Sequence, residues 1–347
     1  MYRKGDGFQT YGGDASEMLV AQWASVEGVL VAGANRDGSG YAFRNGGSNS
    51  TNVINIGDEV DVAIPGFAFE FYAGMPTASA AQSFSLQDGS GDEQLTFCFE
   101  PDGSIDMRLG DRTGAIIAST DPDVYDASGY WFLEIKAQAD ASDGTVELRI
   151  NNVTRMTYSG GPTVFTGNVE YSRCRWRVES ASNSGKDFRI CDFRVLDGDT
   201  GELNDFLGDC VVYEDVPDED GADADWTPSS GGDMYAMVDD IPEDGDTTYD
   251  ESSTVSDRMG LNFPDLPSDV ATVYNIEFFH ISRKTTAGAG SIQVSCLSNG
   301  SEEAGGDDAL TETYNGWSSS FAADPDTSSP WLKAAAEAAT MILERTA

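Results

Sequence analysis

Glu59 and Asp61 stand two residues apart, a spacing that sends both carboxylates to one side of a β-strand. Paired carboxylates flanking a glycosidic bond are the machinery of sugar hydrolysis, one as nucleophile and one as acid. The plainer interpretation of the same residues is the polar face of an edge strand, and it is preferred. The single histidine, His280, lies within a strongly apolar strand-like stretch. A nucleophile built on it needs a partner within hydrogen-bond reach. No Gly-x-Ser-x-Gly elbow is present, so His280 is expected to be structural. No glycine loop leading into a helix offers a phosphate site. The segment Asp197-Gly-Asp-Thr-Gly-Glu-Leu-Asn-Asp205 gathers oxygen donors of the kind calcium takes, though without EF-hand spacing. Asp197, Asp199 and Asp205 are the candidate calcium ligands, against the alternative of a turn and a polar loop. No other cofactor is implied.

Cys98, Cys174, Cys191, Cys210 and Cys296 are odd in number, widely spaced and free of any Cys-x-x-Cys pair. They signal neither zinc nor a disulfide framework and are expected to be free thiols. Charge narrows the partners further. The 347 residues carry 60 Asp and Glu against 20 Lys and Arg, a formal net charge of −40. Nucleic-acid binding needs Lys and Arg laid along phosphates, so no nucleic-acid partner is expected. Nor is membrane insertion, since no run approaches the roughly 20 apolar residues of a spanning helix. No apolar stretch follows Met1-Tyr-Arg-Lys4, so no signal peptide is expected and synthesis in a cytoplasm is. Sugars are held by exposed aromatic faces with flanking polar groups. Tyr11, Tyr41, Tyr171, Trp226, Tyr235 and Trp317 lie in loop-like contexts and are the candidates for such a contact, though a core or interface role is the preferred reading of each.

The elements that must position these residues are strands. In residues 131–137, Trp131, Leu133, Ile135 and Ala137 share one face, with Glu134 and Lys136 on the other. Residues 145–150 repeat the pattern with Val146, Leu148 and Ile150 inward, and Asp140-Ala-Ser-Asp-Gly144 supplies the turn. Further strands are expected at 67–72, 82–87, 94–100, 105–109, 115–119, 154–158, 174–180 and 187–196. Gly-Asp and Asp-Gly turns lie between many of them. Residues 217–225 hold nothing apolar larger than Ala and are expected to be a solvated linker. Beyond it, strands are expected at 270–282 and 291–298. The alanine-rich run after Pro330 favours one short helix, followed by a strand at 341–344. Many short strands at this spacing predict an all-β fold of sandwich type.

Several segments together carry a family resemblance. Asp6-Gly-Phe8, Ala21-Gln-Trp23, residues 33–44, Gly66-Phe-Ala-Phe-Glu70, the 131–150 hairpin and residues 190–209 follow one another in a distinctive order. That order resembles the laminin-G/concanavalin-like jelly rolls of tail and other virion proteins of tailed phages. Trp226-Thr-Pro-Ser-Ser-Gly231, Val238-Asp-Asp-Ile-Pro242, Asp246-Thr-Thr-Tyr249 and Asp324-Pro325 ahead of Trp331 extend it over nearly the whole chain. The alanine-rich C-terminus departs from the β-like ending of such proteins. The resemblance implies two jelly-roll-like antiparallel β-sandwich domains, residues 1–208 and 209–347. It implies a non-enzymatic virion component, tail-associated as a fibre or tip part in preference to a capsid decoration. Other virion proteins and further copies of the chain in a closed oligomer would be its partners, with a host-surface glycan as a candidate receptor. Laminin-G-like sandwiches commonly carry a rim calcium, which adds to the case for Asp197, Asp199 and Asp205. Concanavalin-like glycoside hydrolases carry Glu-x-Asp with a further Glu one or two residues on. Here those positions are Ala63 and Ile64, which argues against an enzyme.

Overall fold

Alternating side chains give a strand one face to bury, and a sheet built of such strands needs a second layer over it. The computed structural model describes residues 2–8, 23–27, 29–32, 34, 36, 41–45, 50–72, 74–77, 80–180, 188–199, 201, 203–241 and 243–347, and all counts refer to these. Tyr11, Ala21, Gln22 and Pro242, parts of the 33–44 segment and Asp187 lie outside them. The chain divides into two compact units, one built mainly on Trp23–Glu214 with the N-terminal strand, the other on Asp215–Ala347.

The first unit contains Tyr2–Asp6 (β1), Trp23–Ser25 (β2), Val29–Ala32 (β3), Tyr41–Asn45 (β4), Ser50–Val60 (β5), Val62–Phe71 (β6), Ala80–Gln87 (β7) and Glu93–Phe99 (β8). It continues with Ile105–Leu109 (β9), Ile116–Ser119 (β10), Trp131–Gln138 (β11), Gly144–Ile150 (β12), Val153–Gly161 (β13), Tyr171–Ser180 (β14) and Phe188–Asp197 (β15). They form two antiparallel sheets. One runs β13-β12-β11-β6-β15-β4-β3, with β1 also paired to β15, and has eight strands. The other runs β10-β9-β8-β7-β14-β5-β2 and has seven. The inner faces meet in an aromatic core: Phe67, Phe69 and Phe71 of β6 face Phe84, Phe97, Phe99 and Trp176, all fully buried. Phe67 and Phe84 are 5.1 Å apart between ring centroids, and Phe69 and Phe99 5.0 Å. Leu133, Ile135, Ala137, Val146, Leu148 and Ile150 point inward as the alternation requires.

The N-terminal motif explains itself in this core. The buried Asp6 carboxylate accepts the Phe8 N–H at 2.8 Å and the Trp23 indole N–H at 2.7 Å. That satisfies the polar edge of Trp23 while its ring packs on Phe8, Phe43 and Trp176.

The second unit contains Glu219–Ala224 (β16), Thr227–Pro228 (β17), Asp250–Glu251 (β18), Arg258–Asn262 (β19), Ile276–Ser282 (β20), Ser291–Ser298 (β21), Ser301–Ala309 (β22), Asn315–Phe321 (β23), the helix Lys333–Glu337 (α1) and Thr340–Arg345 (β24). A five-stranded antiparallel sheet, β16-β19-β24-β21-β22, is accompanied by the ribbons β20-β23 and β17-β18. Phe278 and Phe321 of the ribbon join Met259, Leu261, Val294, Cys296, Met341, Leu343 and Trp331 in one core. The expected short helix and the strand after it are both present.

Three expectations are corrected. The 217–225 segment is not a linker: it includes β16, which pairs with β19 through Glu219–Asn262 and Asp220–Leu261. Its acidic side chains are those of a sheet edge, where charge blocks further pairing. The 270–282 strand is shorter, because β23 offers β20 a partner only over 276–282, and the Val270 N–H turns back to Pro267 O. Glu134 is on the face opposite the core, yet it is buried, for a reason given below.

Candidate functional site

A two-sheet sandwich has two outer faces, and in the first unit they are treated differently. The outer face of the eight-stranded sheet is covered by the chain that follows β15. Ile64 and Leu196 pack there with Val62, Leu203, Phe206 and Leu207, and the Arg149 guanidinium lies 3.8 Å from the Phe206 ring centroid. Beneath this cover, Arg194 Nη2 donates to Glu134 Oε1 at 2.6 Å, and the Leu207 and Gly208 N–H groups donate to the same oxygen at 3.1 Å.

The outer face of the seven-stranded sheet has another character. Alternation along β14 sends Cys174, Trp176 and Val178 into the core, and Arg173, Arg175 and Arg177 outward. Opposite them β7 presents Ser83, Ser85 and Gln87, and β5 presents Thr51 and Asn55. Beyond β7, β8 contributes Thr96 and Cys98 and β9 contributes Asp106 and Arg108. Arg112, from the β9–β10 turn, bonds to Glu179 of β14, as does Arg177. In a chain of net charge −40, five guanidiniums on one sheet face stand out.

Four carboxylates hold these arginines without neutralising them fully. Arg175 Nη1 is 3.4 Å from Glu93 Oε1, and its Nη2 donates to Thr51 Oγ1 at 3.4 Å. Arg108 Nη2 is 3.2 Å from Asp106 and 3.7 Å from Glu100. Arg175 Nε is buried without a hydrogen-bond partner. Among the described residues no ion pair reaches Arg173. Burial, then the Asp106 charge, push the Glu100 carboxyl above the usual range. The face therefore lays half-buried guanidiniums and carboxylates over a buried layer formed by Ser83, Ser85, Gln87 and Thr96.

One end of the face is fastened by Asp88. Its Oδ1 accepts the Ser90 and Asp92 N–H groups at 3.0 and 2.9 Å, and its Oδ2 accepts Gln94 Nε2, Thr166 Oγ1 and Asn168 Nδ2, each at 3.0 Å. Burial opposes ionisation there, but these donors hold the carboxyl below its ordinary range. Gln94 Oε1 in turn accepts the Phe165 and Thr166 N–H groups. The loop before β14 is thereby pinned to the β7–β8 turn.

The residues singled out from sequence are placed as follows. Glu59 is the next-to-last residue of β5 and Asp61 falls between β5 and β6, so the pair does not lie along one strand. Ala63 and Ile64 are buried, where a third carboxylate would have to stand. Glu59 instead meets Glu170, whose carboxyl is raised by its hydrogen bond to Glu59. His280 sits between Ser282 Oγ (2.8 Å from Nδ1) and Asp308 Oδ2 (3.3 Å from Nε2), 7% exposed and stacked on Trp317. The stacking builds it into the ribbon.

Asp197 Oδ1 accepts the Asp199 N–H at 2.9 Å, Asp199 Oδ2 accepts the Val62 N–H at 3.0 Å, and Asp205 Oδ1 pairs with Lys136 Nζ at 3.1 Å. Among the described residues no group of three acidic, His or Cys side chains is placed to share a cation. Thr200 and Glu202 of that segment lie outside them. Cys98, Cys174, Cys191, Cys210 and Cys296 are free.

The aromatic candidates do not form a surface. Tyr171 is buried, its hydroxyl donating to Thr163 O. Trp226 and Tyr235 pack on the second core, and Trp317 is the partner of His280. Tyr11 and the side chain of Tyr41 lie outside the described residues. The sequence signal that locates the open face is instead the Arg-x-Arg-x-Arg alternation in Tyr171–Ser180.

No family model and no curated protein matches the chain. Among solved structures, it is similar to the carbohydrate recognition domain of Emp46p in potassium-bound form, at 15% identity over 56% of this chain and 99% of that one, TM-score 0.40. A protein of unknown function with a galectin-like fold from Bacillus subtilis matches at 13% identity over 57% and 98%, TM-score 0.36. The alginate lyase Aly36B matches at 10% identity over 55% and 94%, TM-score 0.36. No helix among the described residues is long and apolar enough to cross a membrane.

Proposed function

We propose that the chain is a non-enzymatic binding component of a tailed-phage particle, tail-associated, which holds a saccharide chain across the outer face of the seven-stranded sheet. The observation that carries the saccharide role is the outward row Arg173, Arg175, Arg177, flanked by Thr51, Asn55 and Glu93 and underlain by the buried Ser83, Ser85 and Gln87. Vicinal hydroxyls both donate and accept, and so pair with guanidinium, amide and carboxylate groups side by side. The row spans about 13 Å at a strand rise of about 3.3 Å per residue, which suits an extended ligand. The phage origin is supported by the ordered motifs of the sequence. The spent carboxylates at Asp197, Asp199 and Asp205 make calcium, if bound, a competitor for existing contacts.

The test is calorimetric titration of the full chain with purified bacterial surface glycans. Replacing Arg173, Arg175 and Arg177 together by Gln is expected to weaken binding at least tenfold. An unchanged affinity in that variant, or no glycan bound by the parent, overturns the saccharide role. The particle role is tested by locating the chain in cryo-electron micrographs of purified virions. Density on the head overturns the tail placement.

A further inference from the structure

A strand at the edge of a sheet presents a row of unpaired N–H and C=O groups, and proteins blunt such edges with charge, bulges or short length. In the first unit β2, β3 and β10 are three or four residues long. The longer β1 and β13 are interrupted by register shifts against β15 and β12. In the second unit β17 and β18 have two residues each. The edges of the five-stranded sheet carry carboxylates: Glu219, Asp220 and Asp223 on β16, and Glu302, Glu303, Asp307 and Asp308 on β22.

The ribbon has none of these protections. β20 pairs with β23 residue for residue, from Ile276–Phe321 to Ser282–Asn315, without a bulge. Among the described residues its backbone pairs with no other strand. On the far side β23 abuts β22, where Gly305 leaves no room for a Cβ beside Ser319. The open edge is therefore β20, and both of its faces are apolar. Phe278 and His280 are buried on the inner face, whereas Phe279 and Ile281 alternate to the outer one, Phe279 38% exposed. Their partners on β23, Ser318 and Gly316, are too small to cover them. A two-stranded ribbon is marginal by itself and gains from a further strand.

Charge selects what can dock there. Copies of a chain of net charge −40 repel one another, so they can meet only where carboxylates are scarce. β20 and β23 together carry one, Glu277. Antiparallel pairing of β20 with itself about Phe279 uses the whole strand. Ile276 then faces Ser282, Glu277 faces Ile281, Phe278 faces His280, and Phe279 faces its own copy. No like charges stand opposite, and the two half-exposed phenyl rings cover each other as a cross-strand aromatic pair. We propose that β20 is the contact between two copies of this chain, joined about a twofold axis at Phe279 into a four-stranded sheet β23-β20-β20-β23. Each copy spends its open edge on the other, so the assembly closes at two. The pairing is independent of the saccharide role.

The experiment is sedimentation equilibrium of the full chain from micromolar to millimolar concentration. The parent is expected to pass from monomer to dimer, and more tightly as added salt screens the acidic surfaces. Phe279→Glu and Phe279→Lys each set like charges face to face at the axis, and each is expected to raise the dissociation constant at least tenfold. Mixed in equal amounts, the two variants are expected to pair with each other about as tightly as the parent pairs with itself, which also shows that both fold. A parent that stays monomeric overturns the pairing and leaves the edge to a strand of another protein. A dimer undiminished in both variants overturns β20 as the contact. Variants that stay apart when mixed overturn the twofold axis at Phe279.

Discussion

Glu134 and Arg194 show what a single residue does when its neighbours are fixed. Their side chains are 1% and 3% exposed, and Glu134 Oε1 takes three donors at once. The Cβ of any larger residue at Gly66 would collide with the Arg194 guanidinium, so that glycine makes room for the pair. Removing one partner leaves a buried charge uncompensated. Glu134→Ala is expected to lower stability by about 3–5 kcal/mol, read by urea unfolding; a loss below about 1 kcal/mol would show the pair to be dispensable. Asp250 behaves differently. Both its carboxylate oxygens are buried without partners. Burial first, and the charge of Asp220 second, push its carboxyl up to about 7. Below about pH 4 the folded and unfolded chains are both protonated there. Between about 4 and 7 only the folded chain keeps the proton, so stability falls as pH rises across that window and is level above it. The melting temperature of the parent is expected to drop over this range more steeply than that of Asp250→Asn. Parallel slopes would remove Asp250 as the cause.

At the scale of elements, alternation decides function as well as packing. One strand, β14, closes the core with Cys174, Trp176 and Val178 and arms the open face with the arginines between them. Conversely, β16 looks like a linker because nothing apolar in it is larger than Ala, and pairing with β19 makes it a strand. Gly221 and Gly260 let the two backbones approach: a Cβ on Gly221 would lie 2.8 Å from the Gly260 carbonyl carbon. Gly221→Ala is therefore expected to cost about 1–3 kcal/mol through overpacking. A thermal melt within 1 °C of the parent would refute the close approach. The opposite edge of the sheet, β22, is protected by Glu302, Glu303, Asp307 and Asp308, which deter further strand addition.

For the whole molecule, we propose that the two units are domains that fold separately, each closing its own core. A fragment spanning residues 1–214 is expected to give a cooperative melt and an all-β circular-dichroism spectrum; a non-cooperative melt would show that it needs the remainder. Calcium is a question at this scale too, since a bound ion would stabilise the folded chain by mass action. Because Asp197, Asp199 and Asp205 each already hold a protein donor, the melting temperature is expected to be the same in calcium and in chelator. A rise with calcium that Asp199→Asn abolishes would establish the site.

Period-two alternation and turn chemistry in the sequence determine the all-β class, most of the strands and the inward faces of the 131–150 hairpin, and alanine propensity determines the short C-terminal helix. These are local properties, written in the nearest few residues. Which polar face stays open is not local. Glu134 and Arg175 are both outward-facing strand residues, and their sequence contexts do not separate them. The tertiary structure buries the first under residues 203–208 and leaves the second partly exposed. The same holds for Tyr171 and Trp317, for which the sequence leaves sugar contact and packing both open and the fold supplies burial in one case and the His280 ring in the other. Burial depends on what the rest of the chain lays over a residue, and only the folded arrangement of the sheets settles that.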